Sequence, residues 1–244
     1  VHQILRISEK ISFGFNENKS TGMALLDLRK AFDSVWHEGL IHKLIKSKYP
    51  DYLIKILHSY LTDRSAFVVC QSALSFIFDV ISGVPQGSLI APHLFNLFLN
   101  DIPIPTKGNL CLYADDTAYF IQAPWKNLNS IKFELTKTVS QLQKYFHDWK
   151  IKLNESKTEF IVFSKSTKML QKLSNDTITC IGESFKWKDS VNYLGVTLDK
   201  KLTFKQHIEN AINKASAASF SCLYCLLSRK SCVSRDSKLR IYRS

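Results

Sequence analysis

Asn109-Leu110-Cys111-Leu112-Tyr113-Ala114-Asp115-Asp116-Thr117-Ala118-Tyr119-Phe120-Ile121 sets two adjacent carboxylates between two short apolar runs. Side chains alternate faces along a strand, so such flanks bury the base of a hairpin while its turn exposes the acids. Neighbouring carboxylates raise each other's pKa unless a positive charge neutralises them, and a divalent metal is the expected neutraliser. The stretch therefore predicts a strand, a tight acidic turn and a second strand, with a cation at the tip.

A site of this kind needs a further carboxylate on another strand. Gly22-Met23-Ala24-Leu25-Leu26-Asp27-Leu28 supplies it, with Asp27 at the end of an apolar run. Carboxylate-only ligation suits Mg²⁺ rather than zinc, and two such ions about 3.5–4 Å apart form a clamp for in-line phosphoryl transfer. The plain alternative is that Asp27 ends a strand and Asp115-Asp116 fill a turn, where Asp is common.

Five stretches carry a resemblance: Leu26-Asp27-Leu28-Arg29-Lys30-Ala31-Phe32-Asp33, Ser82-Gly83-Val84-Pro85-Gln86-Gly87-Ser88, Tyr113-Ala114-Asp115-Asp116, Leu153-Asn154-Glu155-Ser156-Lys157-Thr158 and Asn192-Tyr193-Leu194-Gly195-Val196. In this order they resemble the palm motifs of reverse transcriptases, and among these the non-LTR (LINE, jockey-like) retrotransposons. Five ordered motifs are far more specific than a lone Asp-Asp. The resemblance implies an α+β polymerase palm, helices packed on an antiparallel sheet, with part of the fingers and the start of the thumb region. Residues 1–21 would end the fingers segment, 22–200 form the palm, and 201–244 form a basic helical segment leading to the thumb. It also implies an RNA-directed DNA polymerase that extends a primer 3′-hydroxyl by two-metal nucleotidyl transfer. Two Mg²⁺ ions, with Mn²⁺ as substitute, would be the cofactors. Template RNA, a DNA primer, dNTPs and the remainder of a retrotransposon polyprotein would be the partners, and the nucleus the location. Two alternatives remain open: an incomplete remnant that only binds nucleic acid, and a related palm enzyme such as a group II intron maturase or telomerase.

On this resemblance Asp27 and Asp115 are the expected metal ligands, with Asp116 supporting them. Phe32 would stack beneath the nucleotide sugar and leave no room for a 2′-hydroxyl; otherwise it anchors the next helix to the core. Gln86, with Gly87 beside it, would lie by the template and incoming nucleotide, in a glycine-rich turn that lets backbone approach a ligand. Lys157 would protonate the departing pyrophosphate, or else is a solvated lysine. Arg64, in Thr62-Asp63-Arg64, either contacts nucleic-acid phosphate or neutralises Asp63. Asp33 reads as a capping or turn acid, since its spacing from Asp27 sets it apart from the same metal.

Over 244 residues the formal charge is +12, and residues 200–244 hold ten Lys/Arg against two Asp/Glu. That excess favours a polyanionic partner, with a solubilising surface as the alternative. No apolar stretch reaches membrane-spanning length and no secretory leader is visible, so an intracellular protein without membrane insertion is expected. A first residue Val1 suggests a fragment of a larger polyprotein or a fossil copy. Cys70, Cys111 and Cys180 fall in apolar segments and read as reduced core thiols. Cys222 and Cys225, with Cys232 downstream, lack a fourth ligand for zinc and read as part of an apolar helix over 211–227.

Apolar spacing predicts helices over Val1–Ile11, His37–Tyr49, Asp51–Leu61 (capped by Asp51), Ser88–Asn100 and Leu128–Lys150. The long helix shows a stripe of Ile131, Leu135, Val139, Leu142, Phe146 and Trp149 that suits packing on a sheet. Strands are expected around Asp27, as a pair within Ala66–Ile81 about Ser72, and at Thr158–Ser164 and Tyr193–Leu198, with a basic helical segment from Lys205.

Overall fold

The computed structural model describes residues 2–174, 176–218, 226, 228 and 231–243. Strands β1 (Lys19–Leu26), β2 (Leu28–Arg29), β3 (Ser65–Ala66), β4 (Val69–Cys70), β5 (Ala73–Leu74), β6 (Phe78–Asp79), β7 (Asn109–Tyr113), β8 (Asp116–Pro124), β9 (Lys152–Leu153), β10 (Glu159–Phe163), β11 (Thr177–Cys180), β12 (Glu183–Lys188), β13 (Ser190–Tyr193) and β14 (Val196–Asp199) alternate with helices. The helices are α1 (His2–Asn16), α2 (His37–Lys46), α3 (Asp51–Leu61), α4 (Ala91–Phe98), α5 (Leu128–Asp148), α6 (Thr167–Ser174), α7 (Lys205–Ala218) and α8 (Arg235–Arg243).

Six strands form the central sheet in the order β11-β12-β10-β1-β8-β7. Every neighbour is antiparallel except β10 and β12. Period-two alternation divides each central strand between two cores. Ala24 and Leu26 of β1, Tyr119 and Ile121 of β8, and Phe160 and Val162 of β10 face one side, with α2 to α6. Met23 and Leu25, Ala118 and Phe120, and Ile161 and Phe163 face the other, with Ile7, Ile11 and Phe15 of α1 and Val191, Tyr193 and Leu198 of the β13–β14 hairpin. Covering both faces explains why β1 reads as an unbroken apolar run. The α+β arrangement expected from sequence, helices packed on a mainly antiparallel sheet, is thus the fold observed.

α5 follows its predicted stripe: Ile131, Leu135, Val139, Leu142 and Phe146 are buried, and Trp149 packs partly buried beyond its end. Asn127 accepts from Ser130 N (3.1 Å) and caps its N-terminus. Several local expectations need correction. α1 runs on to Asn16, and β1 starts at Lys19, earlier than the polar break suggested. α2 stops at Lys46, because Lys48 turns left-handed (φ 57°) ahead of Pro50. Asp51 makes no side-chain cap; it is the first residue of α3, where a carboxylate still suits the helix dipole. The pair expected within 66–81 is a broken ribbon, β3 with β6 and β4 with β5. This ribbon stands away from the core, so Cys70 is exposed, whereas Cys111 and Cys180 are buried as expected. The expected helix at Cys222 and Cys225 lies outside the described residues; Cys232 is exposed. Among the described residues no helix is long and apolar enough to cross a membrane.

One ion pair ties helices of this layer together. Lys43 of α2 is buried, donates to Asp101, to Phe98 O and to the Tyr145 hydroxyl, and lies 3.6 Å from the Trp149 ring centre. Burial lowers the Lys43 pKa despite Asp101. Burial also pushes Asp101 up, but hydrogen bonds from Lys43 and Tyr145 outweigh it and hold the carboxyl below its ordinary value.

Candidate active site

β1 delivers Asp27 to the end of the sheet beside the β7–β8 turn. The turn is tight: Tyr113 pairs with Asp116, and Ala114 between them adopts φ 52°. Asp27 is then held from the segment after α5. Asn154 N donates to Asp27 O (2.8 Å), Asn154 Nδ2 donates to Asp27 Oδ2 (2.8 Å), and Lys157 Nζ stands 3.8 Å from the same oxygen. Beyond Asp27, β2 pairs with β9, setting Arg29 opposite Lys152.

A groove of about 1080 Å³ opens over this corner. Asp27, Phe32, Gln86, Gly87, Asp115 and Lys157, six of the residues expected from sequence, line it together. Asp116 does not: the turn sends it, with Asp27 and Lys157, to a smaller cavity of about 140 Å³ that also meets Thr117, Glu159 and Tyr193. Loss of hydration at the base of the turn raises the Asp116 pKa, and the charges of Asp115 and Asp27 push the same way, although its side chain still reaches solvent. Tyr193 Oη and Thr117 Oγ1 are buried there without a hydrogen-bond partner among the described residues. Burial, with Cys111 and Asp116 nearby, raises the Tyr193 pKa.

Phe32 lies in a 3₁₀ turn, its ring stacked on Phe95 (4.7 Å between centres) and still partly open to the groove. Core anchor and groove wall are therefore two faces of one ring. The loop 82–88 is strapped to that turn. Val84 N donates to Phe32 O (2.8 Å), Gly83 N to Val35 O (2.8 Å), Ser82 Oγ to Asp33 O (3.0 Å), and His37 Nε2 to Gly83 O (2.7 Å). Gln86 Nε2 donates to Asp33 Oδ1 (2.7 Å). Asp33 is thus a turn acid, as its spacing suggested, with a partner that spacing did not reveal.

Arg64 is not brought to this groove. It lines a separate cavity of about 700 Å³ between α2, α3 and the foot of the ribbon, together with Asp63 and Asp79. Its Nη1 is buried without a hydrogen-bond partner, and no Asp63–Arg64 ion pair forms among the described residues. The structure adds groove cations that the motifs did not single out: Arg29, Lys30, Lys150 and Lys152. Lys150 lies 3.8 Å from the Trp36 ring centre. Their signal in the sequence was a cluster of basic residues flanking two short strands. Asn154 was visible only as a member of the Leu153–Thr158 motif. Of the basic tail, Lys200 pairs with Asp189, and Lys205 lies 3.9 Å from Glu209.

Among the described residues no three Asp, Glu, His or Cys side chains are gathered closely enough to hold an ion alone. The open carboxylate corner nonetheless fits Mg²⁺, which typically keeps several waters and is bound through one or two carboxylates plus substrate phosphates. The raised Asp116 pKa marks a place where a cation would relieve repulsion.

Residues 3–198 match the family described as "Reverse transcriptase (RNA-dependent DNA polymerase)". The chain is 31% identical over 93% of its length to the RNA-directed DNA polymerase from mobile element jockey of Drosophila melanogaster, covering 25% of that protein. It is 32% identical over 99% of its length to the probable RNA-directed DNA polymerase from transposon BS of the same fly, covering 27% of that protein. The chain thus spans about a quarter of the length of these curated relatives. Among solved structures, apo telomerase of Candida tropicalis superposes with a TM-score of 0.53 at 14% identity, over 82% of this chain and 39% of that one. At that identity the likeness concerns the fold.

Proposed function

Because the chain belongs to the reverse transcriptase (RNA-dependent DNA polymerase) family, we propose that its groove is where an incoming dNTP is joined to a primer 3′-hydroxyl. The chain is read as the palm of a non-LTR retrotransposon reverse transcriptase, copying template RNA from a DNA primer within a larger polyprotein. Residues 22–200 would be the palm proper, 1–21 the end of the fingers and 201–244 the way into the thumb. The observation that carries this reading is the meeting of Asp27 and Asp115 with Phe32, Gln86 and Lys157 along one groove, in a chain whose identity to jockey and BS polymerases exceeds 30%. That identity favours the retrotransposon reading over telomerase or a maturase.

Asp27, Asp115 and Asp116 would hold the divalent ions, Mg²⁺ or Mn²⁺. Such ions activate the attacking hydroxyl and neutralise charge on the transferred phosphate. Asn154 holds Asp27 through two hydrogen bonds, its N to the Asp27 carbonyl and its Nδ2 to Asp27 Oδ2, so one carboxylate oxygen is oriented before anything binds. Lys157, 3.8 Å from Asp27, would give a proton to the leaving pyrophosphate. Phe32 would exclude a 2′-hydroxyl, and Arg29, Lys30, Lys150 and Lys152 supply positive charge for phosphates.

The test is Asp27→Ala and, separately, Asp115→Ala in the full-length protein. Primer extension should fall by roughly three orders of magnitude, since losing an ion ligand costs several kcal/mol at the transition state. Template binding should persist. Extension within tenfold of the parent for either variant would refute the assignment.

A further inference from the structure

Gln86 is held at one end of its amide. The bond from Nε2 to Asp33 Oδ1 (2.7 Å) is the only hydrogen bond of its side chain among the described residues. An amide has a donor end and an acceptor end of almost the same shape, and nothing in its own geometry decides which faces a ligand. An ionised carboxylate does decide, because it accepts hydrogen bonds and cannot donate them. With the amide reversed, Oε1 would face Asp33 Oδ1 as two acceptors in contact.

The Asp33 backbone is anchored beside Gln86, so its carboxylate stays within reach of the amide. Asp33 N donates to Lys30 O (2.9 Å), its O accepts from Ser82 Oγ (3.0 Å), and its backbone lies directly under Gly83. Loop and turn are thus a single strapped unit, and both residues line the groove.

We propose that Asp33 is a positioning residue that fixes the polarity of Gln86, so that the groove presents the Oε1 acceptor. The group it recognises on the incoming nucleotide is therefore a hydrogen-bond donor, a sugar hydroxyl or a base amine. This rests on the nucleotide groove proposed above and adds to it the direction of one hydrogen bond.

The discriminating experiment exchanges the two partners in the full-length protein and measures kcat and KM for single-nucleotide addition. Gln86→Ala and Gln86→Glu should each lower kcat/KM about tenfold, largely through KM, the cost typical of one lost hydrogen bond. In Gln86→Glu two carboxylates face each other and the side chain is driven off. Adding Asp33→Asn to Gln86→Glu should restore kcat/KM to within about threefold of the parent. The amide introduced at position 33 then donates to the carboxylate introduced at position 86, whose second oxygen is again a fixed acceptor. Asp33→Ala should cost the parent about tenfold, yet add nothing in the Gln86→Ala background, because it acts only through Gln86. A nucleotide without a 3′-hydroxyl that is insensitive to Gln86→Ala identifies the sugar as donor; equal sensitivity identifies a base amine.

A swapped pair no better than Gln86→Glu alone, while Gln86→Ala remains impaired, overturns the polarity argument and leaves the groove assignment standing. Full activity of Gln86→Ala also overturns the proposal, while Asp27→Ala and Asp115→Ala decide the groove assignment separately. Thermal unfolding of each variant of the 244-residue chain separates these outcomes from loss of fold.

Discussion

Gly83 and Gly87 lie in the same loop with almost the same dihedral, φ 90° and 86°, yet the structure predicts different costs for replacing them by Ala. A left-handed backbone costs an L-residue roughly 1–2 kcal/mol, and that applies to both. A Cβ on Gly87 would meet nothing within 4 Å. On Gly83 it would sit 2.7 Å from Asp33 Cα and 2.8 Å from Asp33 O, backbone atoms that no rotamer change can clear. Relief requires lifting the loop from the 3₁₀ turn, at a further cost of about 1–3 kcal/mol, the range seen when a packed contact is overfilled. Gly83→Ala should therefore be destabilised by about 2–5 kcal/mol and Gly87→Ala by about 1–2 kcal/mol. At roughly 2–4 °C per kcal/mol for a chain of this size, the two melting temperatures should differ by several degrees. The entropy lost by the unfolded chain is common to both and cancels in the comparison. Thermal unfolding of the 244-residue chain followed by circular dichroism measures the difference. Equal shifts would refute the close approach of loop and turn, and with it the placement of Gln86.

Phe32→Val should raise ribonucleotide use relative to deoxyribonucleotide use, read as a ratio of kcat/KM values in the full-length protein. Equal losses for both substrates would leave Phe32 only its Phe95 packing. Lys43→Met should destabilise the chain by roughly 2 kcal/mol, discounted from the roughly 3–5 kcal/mol of a fully buried pair because the Asp101 side chain is 40% exposed. Unfolding in urea is the check, and no change would mean the aromatic surroundings carry the contact alone. The raised Asp116 pKa means that the folded state holds that proton more tightly than the unfolded chain. This stability is complete below the ordinary carboxylate pKa and is lost as pH rises through the raised value. Asp116→Asn, or millimolar Mg²⁺ added to the parent, should therefore raise the melting temperature at about pH 7 but not near pH 3, below the ordinary Asp value of about 3.9. Equal stabilisation at both pH values would show that burial and the charges of Asp115 and Asp27 do not raise the Asp116 pKa.

The acidic hairpin, the Asp27 strand and the α5 stripe were legible in the sequence because each depends on a local pattern: short apolar runs ending in or flanking acids along β1, β7 and β8, and helical spacing from Ile131 to Phe146. Phe32, Gln86, Gly87 and Lys157 were singled out through their motifs, and they line one groove with Asp27 and Asp115. Arg64 was placed with them by charge alone, and a charge in sequence carries no direction. The ribbon it precedes carries its strand-forming residues out into solvent, which also misled the reading of Cys70.

What tertiary structure alone decided is which of the neighbouring acids faces which space. Asp115 and Asp116 are adjacent in sequence, but the left-handed turn at Ala114 sends one to the groove and the other to the cavity beside Tyr193. Asn154 is 127 positions from Asp27, and Gln86 is 53 from Asp33, yet each pair is joined by a hydrogen bond. Periodicity reports the face on which a side chain lies, because that follows from the geometry of one strand or helix. Partners across the fold follow from how strands, helices and turns pack, and no local pattern contains that.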